Sequence, residues 1–168
     1  MNKDTFLNKI VLFSDQLFRM ANSILLDDEE AKDCVQDLYL KLWEKRNTLN
    51  DVENLSAFVM KIMRNLCLDK LRKKRVCELE QKEYELKHDE VTPYEIIEQK
   101  DMTKLIKHFI NQLPELQKTI IRLRDVEGFE IKEIAFITAS NENAVTVNLS
   151  RARQKIRDRI QKTLNLKS

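Results

Sequence analysis

One glycine, Gly128, and two prolines, Pro93 and Pro114, in 168 residues leave almost none of the turn chemistry that β-hairpins require. An all-β or mixed sheet architecture is thereby disfavoured, and the abundance of Leu, Lys, Glu, Ile and Arg predicts an all-α protein. Three cysteines, Cys34, Cys67 and Cys77, are odd in number and lack close metal-ligand spacing, so neither a disulfide framework nor a metal site is expected. Cys34 and Cys67 fall inside apolar helical patterns and read as small core residues. Catalytic chemistry is scarce too. His88 and His108 stand isolated, no nucleophile is placed beside a base, and there is no glycine-rich phosphate loop, so neither an enzyme nor a cofactor is expected. No apolar run approaches the roughly 20 residues of a membrane span. The N-terminal MNKDTFLNK also lacks the apolar core of a secretory leader, and a cytoplasmic chain is expected.

An excess of one charge is missing as well: 30 Lys and Arg against 28 Asp and Glu leave a net +2. What is present is segregation. Residues 61–75 hold seven bases and one acid, net +6, residues 76–101 three bases and nine acids, net −6, and residues 146–168 seven bases and one acid, net +6. Two basic segments flanking an acidic one fit a polyanion gripped at two places.

The central stretch, Asn54 to Arg75, explains what the first basic segment serves. On a helix at about 100° per residue, Leu55, Phe58, Val59, Ile62, Met63, Leu66, Cys67 and Leu71 cover most of the circumference. One polar stripe remains, Lys61, Asn65, Asp69 and Arg72, before the run Arg72-Lys73-Lys74-Arg75. A helix buried on several sides offers that stripe as its one contact with a partner. Basic residues at a helix C-terminus also complement its dipole, so the run alone does not identify the partner.

Upstream, Phe6, Ile10, Phe13, Leu17, Met20 and Ile24 recur at helical spacing and predict one amphipathic helix over residues 5–25. Asp27-Asp28-Glu29-Glu30 caps a second helix running to about Arg46. Its inward seam is Ala31, Val35, Leu38 and Leu42, while Leu40 and Trp43 fall among Asp33, Gln36, Asp37 and Glu44 on the other face. An apolar anchor ringed by carboxylates suits a partner surface rich in Arg and Lys. The alternative is a Trp tucked beneath its own chain.

Downstream of a tether over residues 76–101, Leu105, Phe109, Ile110 and Leu113 predict a short helix ended by Pro114. Leu116, Ile120, Ile121 and Leu123 predict the next, closed by Gly128. Phe129 to Phe136 gives a third, Thr138-Ala139-Ser140 a turn, and Asn141 the N-cap of a last helix reaching about Leu164. That spacing is helix-turn-helix. On the last helix Val145, Leu149, Ala152, Ile156 and Ile160 face inward, and Asn143, Thr146, Val147, Ser150 and Arg151 point away, with Arg153, Lys155, Arg157 and Arg159 further along. A recognition helix reads base edges with its first turns and holds phosphates from its flanks.

DCVQDLYLKLWEKR at Asp33 to Arg46, followed by LSAFVMKIMRNLCLDKLRKKR at Leu55 to Arg75, resembles conserved region two of the extracytoplasmic-function group of bacterial RNA polymerase sigma factors. Leu113-Pro114, Gln117, Leu123-Arg124, Gly128, Glu133-Ile134-Ala135, Val145 and Leu149 to Arg153 resemble region four of the same proteins, in order and spacing. The resemblance implies a factor that brings core polymerase to a two-part promoter and helps to melt it. It implies a region two domain over residues 1–75, a linker over 76–101 and a region four domain over 102–168. It places Asp33, Gln36, Asp37, Leu40 and Trp43 on the clamp helices of the polymerase β-prime subunit. Phe58, Lys61, Asn65, Asp69, Arg72, Lys73, Lys74 and Arg75 go to the minus-ten element, double-stranded and then single-stranded. Asn143, Ala144, Thr146, Val147, Asn148, Ser150, Arg151 and Arg153 go to the minus-thirty-five element, with the polymerase β flap as the second partner of this domain. Members are often held by an anti-sigma factor, a partner that no residue here marks. The chain departs from the family at Phe58, commonly Trp; at Ala139, usually the turn glycine; at Ser140, usually apolar; and at Thr146 and Asn148, where Lys and Arg are frequent. Ala at that turn is comfortable only at negative φ. Against the sigma-factor reading stand a helix-turn-helix regulator with an N-terminal dimerisation bundle, and an interaction protein built on the Trp43 face.

Overall fold

A computed structural model describes residues 2–80 and 101–166, which fall into two compact units, one from the N-terminal helices and one from the C-terminal helices. Among the described residues every regular element is helical.

The first apolar seam is not one helix. It is α1 (Lys3–Ile10), a 3₁₀ turn (Val11–Phe13) and α2 (Ser14–Leu25). No glycine or proline marks the break; the Ser14 N–H closes a tighter turn on the Val11 carbonyl. Phe6, Ile10, Leu17, Met20 and Ile24 of the seam are buried, and Phe13, at the break, is half-buried. α2 ends on Leu26, whose φ of 54° is left-handed and whose N–H bonds the Asn22 carbonyl, the role glycine usually fills.

Asp27 then caps α3 (Asp28–Glu44), its Oδ1 accepting from the Glu30 N–H at 2.9 Å, and three acids in the first turn complement the dipole. Asn54 does the same for α4 (Leu55–Glu80), accepting from the Ala57 N–H at 3.0 Å. α2, α3 and α4 pack on one another around Leu17, Ala21, Leu38, Leu42, Val59, Met60 and Met63, all but fully buried. α4 passes the expected end at Arg75 and continues to Glu80. The rest of the acidic tether, residues 81–100, lies outside the described residues.

In the second unit α5 (Met102–Asn111) is capped by Asp101, whose side chain accepts from the Lys104 N–H at 3.1 Å. Pro114 separates it from α6 (Glu115–Ile121), which runs into a π turn (Arg122–Val126). α7 spans Ile131–Thr138, two residues later than the sequence pattern suggests, because Glu130 and Glu133 form its capping contact: the Glu130 N–H donates to Glu133 Oε2 at 2.7 Å. α8 (Glu142–Asn165) starts at Asn141, whose Oδ1 accepts from the Ala144 N–H at 2.7 Å. α5 and α6 pack on α8, burying Leu105, Phe109 and Ile120 against Val145, Leu149, Ala152 and Ile156. Between α7 and α8 Ala139 has φ 52°, so the negative φ that alanine prefers is not adopted.

Candidate functional site

Three faces hold the residues singled out above. The first is the outer side of α3. Asp33, Gln36, Asp37 and Leu40 are exposed there, Leu40 at 65%, whereas Trp43 is half-buried. Trp43 and Phe6 of α1 meet edge to face with ring centroids 5.2 Å apart, and the Arg46 guanidinium sits over the indole at 4.3 Å. These two contacts hold the indole in one orientation. Around it, Lys3, Phe6, Leu7, Gln36, Tyr39 and Leu40 complete an open, largely apolar concavity of about 400 Å³. The contribution of α1 was missed from sequence: Leu7 lies off its helix's buried seam, and only packing brings it beside Leu40. Asp37 also faces sideways, to Lys70 of α4 at 3.2 Å. Burial lowers the Lys70 pKa, but the hydrogen bond and charge of Asp37 outweigh it and raise the ammonium above its ordinary value.

The second face is the stripe of α4. Asn65, Asp69 and Arg72 are exposed on successive turns, and Lys61 and Phe58 are half-buried at its start. The structure brings these five to one side of one helix. Arg72 pairs with Asp69 at 3.7 Å, and Lys74 reaches Glu30 of α3 at 3.2 Å, while Lys73 and Arg75 are exposed. α3 and α4 are thus joined by two ion pairs, Lys70 to Asp37 and Lys74 to Glu30, the latter at the acidic start of α3. Both pairs are partly solvated, each worth about 0–1 kcal/mol, so they fix geometry more than they stabilise. Arg64, left out of the stripe, is a buried cation on the same helix.

The third face is the first half of α8. Asn143, Thr146, Val147, Ser150, Arg151 and Arg153 are exposed; Ala144 and Asn148 are half-buried. Thr146 and Asn148 turn back on their own helix: the Thr146 hydroxyl donates to the Glu142 carbonyl at 3.0 Å and the Asn148 amide to the Ala144 carbonyl at 2.9 Å. Both side chains are thus engaged by their own backbone, whereas no such bond ties back Asn143, Val147 or Arg151 among the contacts described. Arg153 is held by Asp125 through two hydrogen bonds, Nε to Oδ2 at 3.0 Å and NH2 to Oδ1, which raise its pKa. Lys155 and Arg159 likewise donate to Gln117 at 3.1 Å and Gln112 at 3.3 Å. Arg153, Lys155 and Arg159 therefore brace α8 against the π turn, α6 and the end of α5, while Arg151 and Arg157 are exposed. Among the described residues no group of His, Cys, Asp and Glu has the arrangement of a metal centre, and no helix is long and apolar enough to cross a membrane.

Comparison with known proteins places these faces in context. Residues 11–76 match the family model for sigma-70 region 2, and residues 103–156 that for sigma-70 region 4. The chain is 30% identical over 147 residues to RNA polymerase sigma factor SigV of Bacillus subtilis, covering 86% of this chain and 84% of that protein. It is 20% identical over 169 residues to the ECF RNA polymerase sigma factor SigW of the same organism, covering 95% and 90%. Its fold is that of the sigma factor RpoE from Bartonella quintana, solved in complex with the anti-sigma factor NepR (TM-score 0.77, 24% identity, 98% of this chain and 99% of that one). CnrH, solved with the cytosolic domain of CnrY, shares it at TM-score 0.67 and 19% identity, over 96% of this chain and 90% of that one.

Proposed function

The chain belongs to the extracytoplasmic-function group of RNA polymerase sigma factors, and on that premise we propose how its residues divide the work. Such a factor directs core polymerase to specific promoters and assists melting of the DNA. The reading as a regulator with an N-terminal dimerisation bundle loses its footing, because the residues it needs for dimerisation are those that match region 2.

Residues 1–75 are assigned to core polymerase and the minus-ten element, 76–101 to the connection, and 102–168 to the minus-thirty-five element and the β flap. Asp33, Gln36, Asp37, Leu40 and Trp43 form the contact with the β-prime clamp helices, and the apolar hollow beside Trp43 extends it to Leu7 of α1. Such an anchor, dry at its centre and acidic at its rim, takes most of its energy from the aromatic and its orientation from the carboxylates. Phe58, Lys61, Asn65, Asp69 and Arg72 meet the minus-ten element. Opening a duplex means trapping bases that have left the stack, at about 1–3 kcal/mol for each base stacked on an aromatic ring. The amide of Asn65 offers a hydrogen-bonding partner, and Lys73, Lys74 and Arg75 hold the phosphates. On α8, Asn143 and Val147 suit an adenine edge and a thymine methyl, and Arg151 a phosphate or a guanine. The factor performs no covalent chemistry of its own and works in the cytoplasm. An anti-sigma partner covering one of these faces is expected on the precedent of the RpoE–NepR complex.

The observation that carries the assignment is the placing of an exposed polar stripe and an acidic, Trp-bearing face on adjacent helices of one unit. Reconstitution tests it. The chain mixed with core polymerase should give a one-to-one complex that starts transcripts at particular promoters, and Trp43→Ala or Asp37→Lys should weaken that complex with helicity intact. Unchanged affinity in both variants removes the docking assignment.

A further inference from the structure

Beneath the two ion pairs that join α3 to α4 lies a cluster that neither promoter nor polymerase binding uses. Cys34 Sγ and Cys67 Sγ are 3.4 Å apart, and Cys67 Sγ is 3.6 Å from Met63 Sδ. All three residues are fully buried, Cys34 on α3 and the other two on successive turns of α4. We propose that Cys34, Cys67 and Met63 form a binding site for a soft monovalent metal ion of the copper(I) class, bridging α3 and α4.

The donor set fits that class. Two thiolates and a thioether, without a carboxylate or imidazole, select soft ions over zinc, which takes four ligands and favours nitrogen and thiolate donors. Distance fits as well. A trigonal ion with metal–sulfur bonds of roughly 2.3 Å sets its sulfurs about 4 Å apart, so the Cys34–Cys67 and Cys67–Met63 separations, 3.4 and 3.6 Å, need to open by only a few tenths of an ångström. Charge is accommodated. On binding, the two cysteines together lose two protons to solvent, two metal–thiolate bonds form, the Met63 sulfur completes the plane, and no electron is transferred. The site carries one net negative charge, which Lys70 faces.

The test uses the full chain with Cys77→Ala, to remove the exposed thiol, titrated anaerobically with copper(I) against the chromophoric chelator bicinchoninate. One copper(I) per chain, a thiolate-to-metal charge-transfer band and a raised melting temperature are expected. Cys34→Ser and Cys67→Ser should each abolish competition with the chelator, and Met63→Leu, which keeps the volume and both thiols, should weaken binding by about tenfold or more. X-ray absorption at the copper edge of the unsubstituted site should count three sulfurs, a reading independent of whether the serine variants fold. Two sulfurs with a nitrogen or oxygen, binding unchanged in Met63→Leu and the serine variants, or a Cys34–Cys67 disulfide with no copper retained would overturn the proposal.

Discussion

The turn before the recognition helix offers a quantitative test, because this chain places alanine where its backbone favours glycine. Ala139 has φ 52°, and its neighbours' hydrogen bonds fix it there: its own N–H donates to the Phe136 carbonyl at 3.4 Å and the Ser140 N–H to the Ala135 carbonyl at 3.0 Å. A left-handed conformation costs an L-residue with a Cβ roughly 1–2 kcal/mol. Ala139→Gly removes that strain but returns about 0.4–1 kcal/mol of backbone freedom to the unfolded chain. The net expectation is a gain of about 0.5–1 kcal/mol, hence a rise of a few degrees in the melting temperature of a unit this size. Gly128 supplies the internal control. Its φ is 78° and a Cβ built on it meets nothing within 4 Å, so Gly128→Ala adds backbone strain without a clash. It should lose about 1 kcal/mol or more. The pair is measured by urea and thermal denaturation followed by circular dichroism. Ala139→Gly that is neutral or destabilising, beside a Gly128→Ala that costs what it should, would refute the claim that Ala139 is strained. Promoter affinity supplies the second reading: a relaxed turn that changes stability and leaves DNA binding alone confines the effect to folding.

Asn65→Ala should depress open-complex formation, read by permanganate footprinting of unstacked thymines, more than it depresses closed binding; equal losses would make Asn65 structural. Asp125→Ala frees the Arg153 guanidinium and should tighten duplex binding and steepen its salt dependence, by up to about 0.9 in log–log slope for one added phosphate contact, whereas Arg153→Ala should do neither. Lys118 is buried and burial lowers its pKa, so its charge opposes folding while pH stays below the folded value and is relieved as pH rises toward 10.5; Lys118→Met should stabilise at pH 7 and lose its advantage in alkali. Leu38→Ala, emptying a fully buried position between helices, should cost about 2–5 kcal/mol in denaturant unfolding and leave the exposed faces unchanged.

The sequence by itself determined the helical class, most of the inward faces and the caps at Asp27 and Asn141. Scarce glycine and proline left no alternative to helix, and a cap is legible because it is a contact between near neighbours; Asn54 and Asp101 cap in the same way without having been singled out. The stripe Asn65, Asp69, Arg72 and the outward set Asn143, Val147, Arg151 were legible for the same reason: helical periodicity converts position into direction. Only the tertiary structure decided which polar groups are already engaged. Asp37 with Lys70, Glu30 with Lys74, and Arg153 with Asp125 join residues from 28 to 44 positions apart, and no local pattern ties such partners together. The same holds for the break at Val11–Phe13, for Leu7 beside Leu40, and for the three sulfurs under the α3–α4 seam. Local preference sets the element, and packing sets what its side chains meet. Leu26 and Ala139 lie where the two conflict: each holds a left-handed turn that its own residue type resists, because the helices on either side leave the chain no other path.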